Sequence, residues 1–387
     1  MVRYLCLVKN AIAVIRYVFS LWENQATGLR LDVVSAYSLS MVKRPHDVPT
    51  VAAVAAAAGV STATVSRVLN TPQAVRETLR RQVQTAVAQL GYVPHAGARA
   101  MMLRRSGTIG AVFPTVDNAI FAKAIDALQR RLSEAGLQLL IATSDYDPDA
   151  EMRQAVNLVT RGADALALCG AGQRGELLEF LRQRGLPCVH VMTLLPADAP
   201  MTSVGFDNAG AMAQAVRYLI DLGHRRIAML AGVTRDNDRA SARVAGVRRA
   251  LHDAGLELPP QRLVERRYSI AAAREGLREL MAARRAPTAI VCGNDVLAFG
   301  ALLEAQRLGI AVPQALSIVG FDDLELARQL QPALTTVRVP AEEMWRTAAD
   351  RLIAALRGEA VQRATEIEVA LVVRESTAAA PRRRRKG

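Results

Sequence analysis

The run VPTVAAVAAAAGVSTATVSRVLN, residues 48 to 70, leaves few choices of fold. Thr50 can cap a first helix over Val51 to Ala58, and Gly59 supplies the positive φ that ends it. Ser61 then caps a second helix over Thr62 to Asn70. Val54, Ala55, Ala58, Val60, Val65, Val68 and Leu69 supply one small apolar interface, and the alanines let the helices come close. The second helix exposes Ser61, Thr62, Ala63 and Thr64 at its start and Ser66, Arg67 and Asn70 along its side. Short hydroxyls and a methyl can reach base edges in a major groove, and Arg67 can fork onto a guanine or a phosphate. A helical hairpin with another role is the alternative, and the surrounding charge favours DNA.

That charge is concentrated at the ends of the chain. The net charge is +13, but residues 41 to 105 hold nine Lys/Arg against two Asp/Glu, while residues 106 to 381 hold 31 basic against 32 acidic. Five more cations, Arg382 to Lys386, follow Pro381. A tail of this kind is ordinarily a solvated run, and it can add nonspecific DNA affinity without specificity. Residues 76 to 90 read as a third helix closed by Gly91, and Tyr92-Val93-Pro94 forces an extended turn. The segment HAGARAMMLRRSGTIG is too short to hold a helix alone, so it is expected to fold only on DNA.

From Gly107 onward, short apolar runs alternate with longer amphipathic stretches. Strands are expected at 108–113, 138–143, 165–168, 188–192, 226–230, 289–292 and 317–319. Helices are expected around 120–135, 149–161, 208–222, 239–254, 271–283 and 295–308. This alternation gives parallel sheets with helices on both faces, and so many units favour two sheets over one. Ligands of such sheets sit beyond the carboxyl ends of the strands. The residues there include Asp117, Asn118, Phe121, Asp145, Tyr146, Asp236, Asn237, Arg239, Arg243, Asn294, Asp295, Asp322 and Asp323, a set suited to a polyhydroxylated or carboxylated small molecule. Any of them can be a helix cap instead, notably Asp295 and Asp149.

Residues 48 to 110 resemble the DNA-binding headpiece and hinge of the lactose-repressor (LacI/GalR) family, through AxxAGVSxxTVSRVLN, LGYVP and the following AR. The resemblance implies that Thr62, Ala63 and Arg67 read bases and that Thr50, Ser61, Thr64, Ser66 and Asn70 contact the backbone. It also implies a minor-groove hinge helix of His95, Ala98, Arg99 and Met101, where a wedge side chain opens a base step. Met101 stands where the family usually has leucine, and Arg76 where the third helix usually has a serine cap. Residues 107 to 375 resemble the family's sensor, of periplasmic-binding-protein fold (type I), through TIGAVFP, GHRRIAML, RVAGV, GNDVLAFGAL, LSIVGFDDLELA, PALTTVRVP and VRESTA.

The implied fold is an all-α helix-turn-helix headpiece (46–93), a hinge (94–106), a two-lobed α/β sensor with two parallel sheets (107–378) and a basic disordered tail (379–387). The implied pocket comprises Ile120, Phe121, Asp145, Asn237, Arg239, Arg243, Tyr268, Asn294 and Asp322, with Arg243 holding the ligand by a bidentate contact. Met192 followed by Thr193 replaces an acidic residue frequent in the family, and Trp345 replaces a glycine of the late helix. VGFDN at 204 to 208 and the Asp145-Tyr146 pair are reminiscent of the gluconate-repressor branch, a hint toward a sugar acid.

The expected protein is therefore a cytoplasmic, sequence-specific transcription regulator, a repressor of a catabolic operon. Its expected partners are duplex operator DNA, a sugar or sugar-acid effector, and a second copy of itself or a larger homo-oligomer, with no membrane. A solute-binding protein of the same sensor fold is the alternative, against which the headpiece argues. No enzyme is expected, since there is no GxGxxG after a strand, GxSxG elbow or GKS/GKT loop. No cofactor or metal is expected either: Cys6, Cys169, Cys188 and Cys292 form no CxxC pair, and His46, His95, His190, His224 and His252 are scattered. Residues 1 to 45 are expected to be a disordered or non-native extension, with translation starting at Met41. Tyr4 to Trp22, broken by Lys9, Asn10 and Arg16, is a poor span and leaves a weak signal anchor as the alternative.

Overall fold

The computed structural model describes residues 49–93 and 105–381. The expectations for residues 1 to 45, for His95, Ala98, Arg99 and Met101, and for the tail from Arg382 lie outside the described residues. The chain divides into two compact units, Met1–His95 and Ala96–Gly387.

The first unit contains three helices, α1 (Val51–Ala57), α2 (Thr62–Asn70) and α3 (Glu77–Leu90). Gly59, at φ 63°, makes the reversal, and α1 and α2 cross at 103°. Val54, Ala55, Ala58, Val65 and Val68 are buried with Val83, Ala86 and Tyr92, and Val60 and Leu69 pack against them. Arg76 occupies the N-cap of α3 without a side-chain cap bond, and Glu77 in the first turn pairs with Arg80 and Arg81 instead. Gly91 ends α3 at φ 61°.

The second unit has two lobes built on the same plan. Its first sheet runs β2-β1-β3-β4-β5-β11 and comprises β1 (Thr108–Phe113), β2 (Gln138–Thr143), β3 (Ala165–Cys169), β4 (Cys188–Val191), β5 (Thr202–Gly205) and β11 (Ala364–Glu366). The second runs β7-β6-β8-β9-β10-β12 and comprises β6 (Ile227–Gly232), β7 (Leu263–Arg266), β8 (Ala289–Cys292), β9 (Ser317–Asp322), β10 (Thr335–Arg338) and β12 (Ala370–Val372). Every pairing is parallel except β10 with β12. Helices α4 (Ala119–Glu134), α5 (Pro148–Thr160), α6 (Gly175–Gln183) and α11 (Ala341–Arg357) cover the first sheet. Helices α7 (Asn208–Asp221), α8 (Asp238–Asp253), α9 (Ile270–Met281) and α10 (Asp295–Arg307) cover the second.

Alternation within the strands sorts the core. Ala165, Ala167 and Cys169 of β3 face one cluster while Leu166 and Leu168 face another against Leu158, Leu177 and Leu181. Trp345 is fully buried and stacks on Phe113 with ring centroids 4.5 Å apart. The replacement for glycine thus fills the first lobe's core, although its Nε1 finds no acceptor.

Several boundaries differ from expectation. Strand β4 stops at Val191 because Met192 takes φ 73°, a left-handed conformation outside the sheet. Strand β6 begins at Ile227 and extends to Gly232, and β9 extends to Asp322. Strands β5, β7, β10, β11 and β12 and helix α6 were not anticipated. The caps also differ: α5 is capped by Asp147, whose carboxylate accepts from Asp149 N at 2.9 Å, and α10 by Asn294, which accepts from Leu297 N at 3.0 Å. Asp149 and Asp295 sit in the first turns instead.

Candidate functional site

On the first unit, Thr50 accepts from Ala53 N at 3.2 Å and Ser61 from Thr64 N at 3.2 Å, so both expected caps form. Ser61, Thr62, Ala63 and Arg67 are exposed, and Thr64, Ser66 and Asn70 are half-buried. Thr64 shares a hydroxyl bond of 2.9 Å with Ser61, while Asn70 donates to the Ser66 carbonyl at 2.9 Å and to its hydroxyl at 3.3 Å. The outer face of α2 is thus a row of hydroxyls and a methyl with one long cation, on a scaffold whose cap bonds fix the first turn.

In the second unit a chamber lies between the lobes at the carboxyl ends of the strands. It is lined by Asn118, Ile120, Phe121, Tyr146, Met192, Asn237, Arg239, Arg243, Tyr268, Asn294 and Asp322. Eight of the nine residues expected there are present. Asp145 is not: at φ 50° it turns away to line an outer vestibule of about 780 Å³, with Asp117, Asp147, Arg235, Asp236 and Arg267. Tyr146 and Tyr268, one from each lobe with centroids 6.0 Å apart, line both spaces. The chamber itself has about 20 Å³, room for roughly one water.

Non-glycine residues with positive φ gather here: Asp145, Tyr146, Met192, Asp236, Asp322 and Asp323. Such strain persists only where the surroundings enforce it, and it commonly marks binding sites. Helices α4, α8 and α10 begin at the chamber, capped by Asn118, Asn237 and Asn294, so three lining residues are caps as well. Their amino ends add positive potential.

Arg243 is 5% exposed. Its Nε donates to Asn208 at 3.0 Å, its Nη1 to the Gly293 carbonyl at 2.7 Å, and its guanidinium lies 3.9 Å over the Phe321 ring centroid. Two nitrogens are therefore already engaged, so Arg243 does not present the open two-nitrogen fork expected. Asn208 passes the contact on by donating to the Met192 carbonyl at 2.9 Å.

Residue Asp238, absent from the sequence-based set, ties the lobes together. It accepts from Ala171 N at 2.9 Å and from the Thr193 hydroxyl at 2.8 Å, both in the first lobe. Arg239 donates to the Cys169 carbonyl at 2.9 Å and to Asp238 at 3.1 Å. Gly170 makes this approach possible, because a Cβ there would lie 1.8 Å from Arg239 Nη1. Burial pushes Asp238 up, but the Arg239 charge and the hydrogen bonds outweigh it and hold the carboxyl below its ordinary value. The only sequence signal for Asp238 was its place after Asn237, where helix α8 begins.

Asp322 behaves in the opposite way. Burial raises it to about 7, although Arg243 and Arg239 pull it down. Behind it Asp295 is raised to about 8 by burial and by Asp322, despite bonds from Thr336 at 2.6 Å and Leu324 N at 2.7 Å. Two guanidinium groups thus line the chamber, and the carboxylate held ionised near neutrality, Asp238, lies beside it, bonded to Arg239. Among the described residues no His/Cys/Asp/Glu group could hold a metal ion. His190 is buried with Nδ1 bonded to the Gly170 carbonyl, and His224 is held by Thr288 and Ala378, so both serve the fold. No single described helix is long and apolar enough to cross a membrane; α1 and α2 together pass on length and composition, but they are the bent headpiece pair.

Comparison with known proteins agrees with both halves. Residues 50–95 match the family model "Bacterial regulatory proteins, lacI family", and residues 216–377 match "Periplasmic binding protein-like domain". The chain is 30% identical over 340 residues to the HTH-type transcriptional repressor CytR of Escherichia coli (strain K12), covering 88% of this chain and 99% of CytR. The crystal structure of the lac repressor dimer bound to operator and the anti-inducer ONPF aligns with TM-score 0.76 at 26% identity, over 85% of this chain and 99% of that one. That of the transcription regulator GntR from Chromobacterium violaceum aligns with TM-score 0.66 at 31% identity, over 70% and 99%. With a helix-turn-helix reader and a two-lobed chamber in one polypeptide, and with relatives matched nearly end to end, the chain belongs to the lacI family of bacterial regulatory proteins and is a DNA-binding transcriptional regulator, not an enzyme.

Proposed function

We propose that this regulator is a cytoplasmic repressor of a catabolic operon, and that a small sugar acid, or a neutral carbohydrate of the same size, controls its operator affinity. The observation that carries the reading is the charge of the chamber. Arg239 and Arg243 line a space whose one carboxylate, Asp322, is raised to about 7 by burial, and three helix amino ends converge on it. An anion with hydroxyls matches those donors better than a neutral ligand does. Asn237, Asn294 and Asp322 would take the hydroxyls, and Ile120, Phe121 and Met192 would face the carbon skeleton.

On the DNA side, Thr62, Ala63 and Arg67 would read bases while Thr50, Ser61, Thr64, Ser66 and Asn70 meet phosphates. His95, Ala98, Arg99 and Met101 would fold in the minor groove. A near-palindromic operator needs two headpieces, hence a two-fold homodimer or a larger assembly. Leu140 and Ile141 on the first lobe and Leu303 and Leu308 on the second are exposed apolar residues available for it. A chamber with room for one water admits a sugar only as the lobes part, so binding is coupled to lobe geometry and thereby to the hinge. A coupling of about 1–3 kcal/mol, five- to 150-fold in operator affinity, is expected.

The test is operator selection from random duplex DNA at stated salt, with and without sugars and sugar acids. An enriched palindrome whose occupancy falls with one sugar acid supports every part of the reading. A palindrome indifferent to all of them removes the effector class, and no enrichment removes the operator.

A further inference from the structure

Beside the chamber lies a second space, and Arg239 and Tyr146 line both. Glu151, Gln173, Asp236 and Asp238 complete its polar lining. Its volume is about 20 Å³, room for one water or one group of that size. The first lobe supplies Glu151 from the opening turn of α5 and Gln173 from the turn between β3 and α6. Arg174 pairs with Asp149 at 2.9 Å and so holds those two segments together. The second lobe supplies Asp238 and Arg239 from the start of α8 and Asp236 from the turn before it.

One acceptor in this cavity has no donor. Gln173 Nε2 donates to Glu151 Oε1 at 3.0 Å, which fixes the amide so that its oxygen faces away from that carboxyl. That oxygen, Oε1, is buried and meets no donor. Two other buried side-chain atoms among the described residues lack a partner, His190 Nε2 and Trp345 Nε1, and neither residue lines the chamber, the vestibule or this cavity. A buried acceptor left unmet costs its full desolvation, so such atoms are rare unless something arrives to satisfy them.

The charges of the cavity run opposite to those of the chamber. The chamber sets Arg239 and Arg243 against Asp322 alone, whereas the cavity sets Glu151, Asp236 and Asp238 against Arg239 alone. Arg239 is already engaged there, donating to Asp238 at 3.1 Å and to the Cys169 carbonyl at 2.9 Å. Burial raises the Glu151 carboxyl above its ordinary value and Asp238 adds to the rise, against the Gln173 bond and the Arg239 charge. A carboxyl shut in beside like charge is stabilised by a cation that reaches it. No His/Cys/Asp/Glu group among the described residues could hold a metal ion, so an organic cation fits the lining better. A primary ammonium is about the size of a water and has three donors to share among Gln173 Oε1, Glu151 and Asp238.

We infer that this cavity is a second compartment of the effector site and takes a primary ammonium group of the effector, whose anionic part lies with Arg239 and Arg243. The effector is then a zwitterion, an aminated sugar acid. This narrows the class argued above and rests on that reading for the anionic part.

The test is calorimetric titration of the full chain with D-gluconate and with analogues in which an ammonium replaces one hydroxyl at a time. At least one analogue should bind roughly tenfold tighter than gluconate or better, as a charge-assisted bond to a buried acceptor provides. Gln173→Met and Glu151→Gln should each bring that ratio of affinities down to about one, while Arg243→Ala should weaken both ligands and leave the ratio standing. Where gluconate binds, the lack of any tighter analogue overturns the inference, and so does a ratio unchanged in both compartment variants. Ethanolamine, which has no carboxylate, probes the cavity without the sugar-acid reading. In crystals of the full chain soaked with it, its nitrogen should lie within hydrogen-bond distance of Gln173 Oε1. Ethanolamine absent from that place overturns the inference even where a sugar acid fills the chamber. Ethanolamine bound there, with no sugar acid bound at all, removes the sugar-acid reading and leaves the ammonium compartment in place.

Discussion

In the first lobe, the strand ends and the helix that follows bring Asn118, Ile120, Phe121, Tyr146 and Met192 to the chamber. In the second, on the same strand order, they turn Asn237, Arg239, Arg243, Tyr268, Asn294 and Asp322 toward it. One wall is chiefly apolar and one carries nearly all the charge. Identical topology therefore fixes where a ligand sits without fixing which wall recognises it. The cost of burial explains why the charges are so well supported on their side: Arg243 leans on Asn208, the Gly293 carbonyl and Phe321, and Arg239 on Cys169 and Asp238.

The largest expected effect breaks the apolar wall's support without touching the charged one. Trp345→Ala removes the ring stacked on Phe113 behind the first sheet and should cost about 3–5 kcal/mol of stability, seen in urea unfolding. A loss under about 1 kcal/mol would mean that the first lobe is not held by that core. Next, Arg243→Ala should weaken an anionic effector by roughly 100-fold, about 2.7 kcal/mol, in calorimetric titration while headpiece binding to DNA persists. Equal weakening of neutral and anionic ligands would show that the charged wall does not select charge.

A pH series sharpens the contrast further. Asp322 and Asp295 have folded-state values of about 7 and about 8, above the ordinary carboxylate value. Their contribution to stability is then full below about pH 4 and is lost as the pH rises through those values. Thermal stability should decline between about pH 4 and 8 and level off above, and an anionic effector should bind progressively more weakly above about pH 7 as Asp322 gains charge. Asp322→Asn should flatten the binding profile, and a profile equally steep in that variant would remove Asp322 as its source. The smallest effect lies outside the sensor. Ser61→Ala should cost the headpiece about 1 kcal/mol, read from its melting transition, and leave effector affinity unchanged.

The legibility of the two functional surfaces follows from their construction. The α2 face is contiguous in the chain, so its caps and glycine turn could be read from residues 50 to 70, while Thr64, Ser66 and Asn70, expected to be exposed, are half-buried. Strands with long apolar runs, such as β1 and β8, were also legible. The three-residue strands β11 and β12, half-exposed and lacking alternation, were not. Asp145 lines the vestibule and not the chamber, at a turn where both it and Tyr146 are left-handed, which a strand-end position in the sequence does not reveal. Asp238 was missed because its partners, Ala171 and Thr193, are 67 and 45 residues away.

By itself the sequence determined the helix-turn-helix, the repeated α/β units and most of the polar residues at the strand ends, because those features depend on local periodicity, capping and turn chemistry. Only the tertiary structure decided which wall carries charge, which donors of Arg243 are engaged, and how Asp238 ties the lobes. Each of these depends on distances between segments far apart in the chain, and local patterning does not encode them.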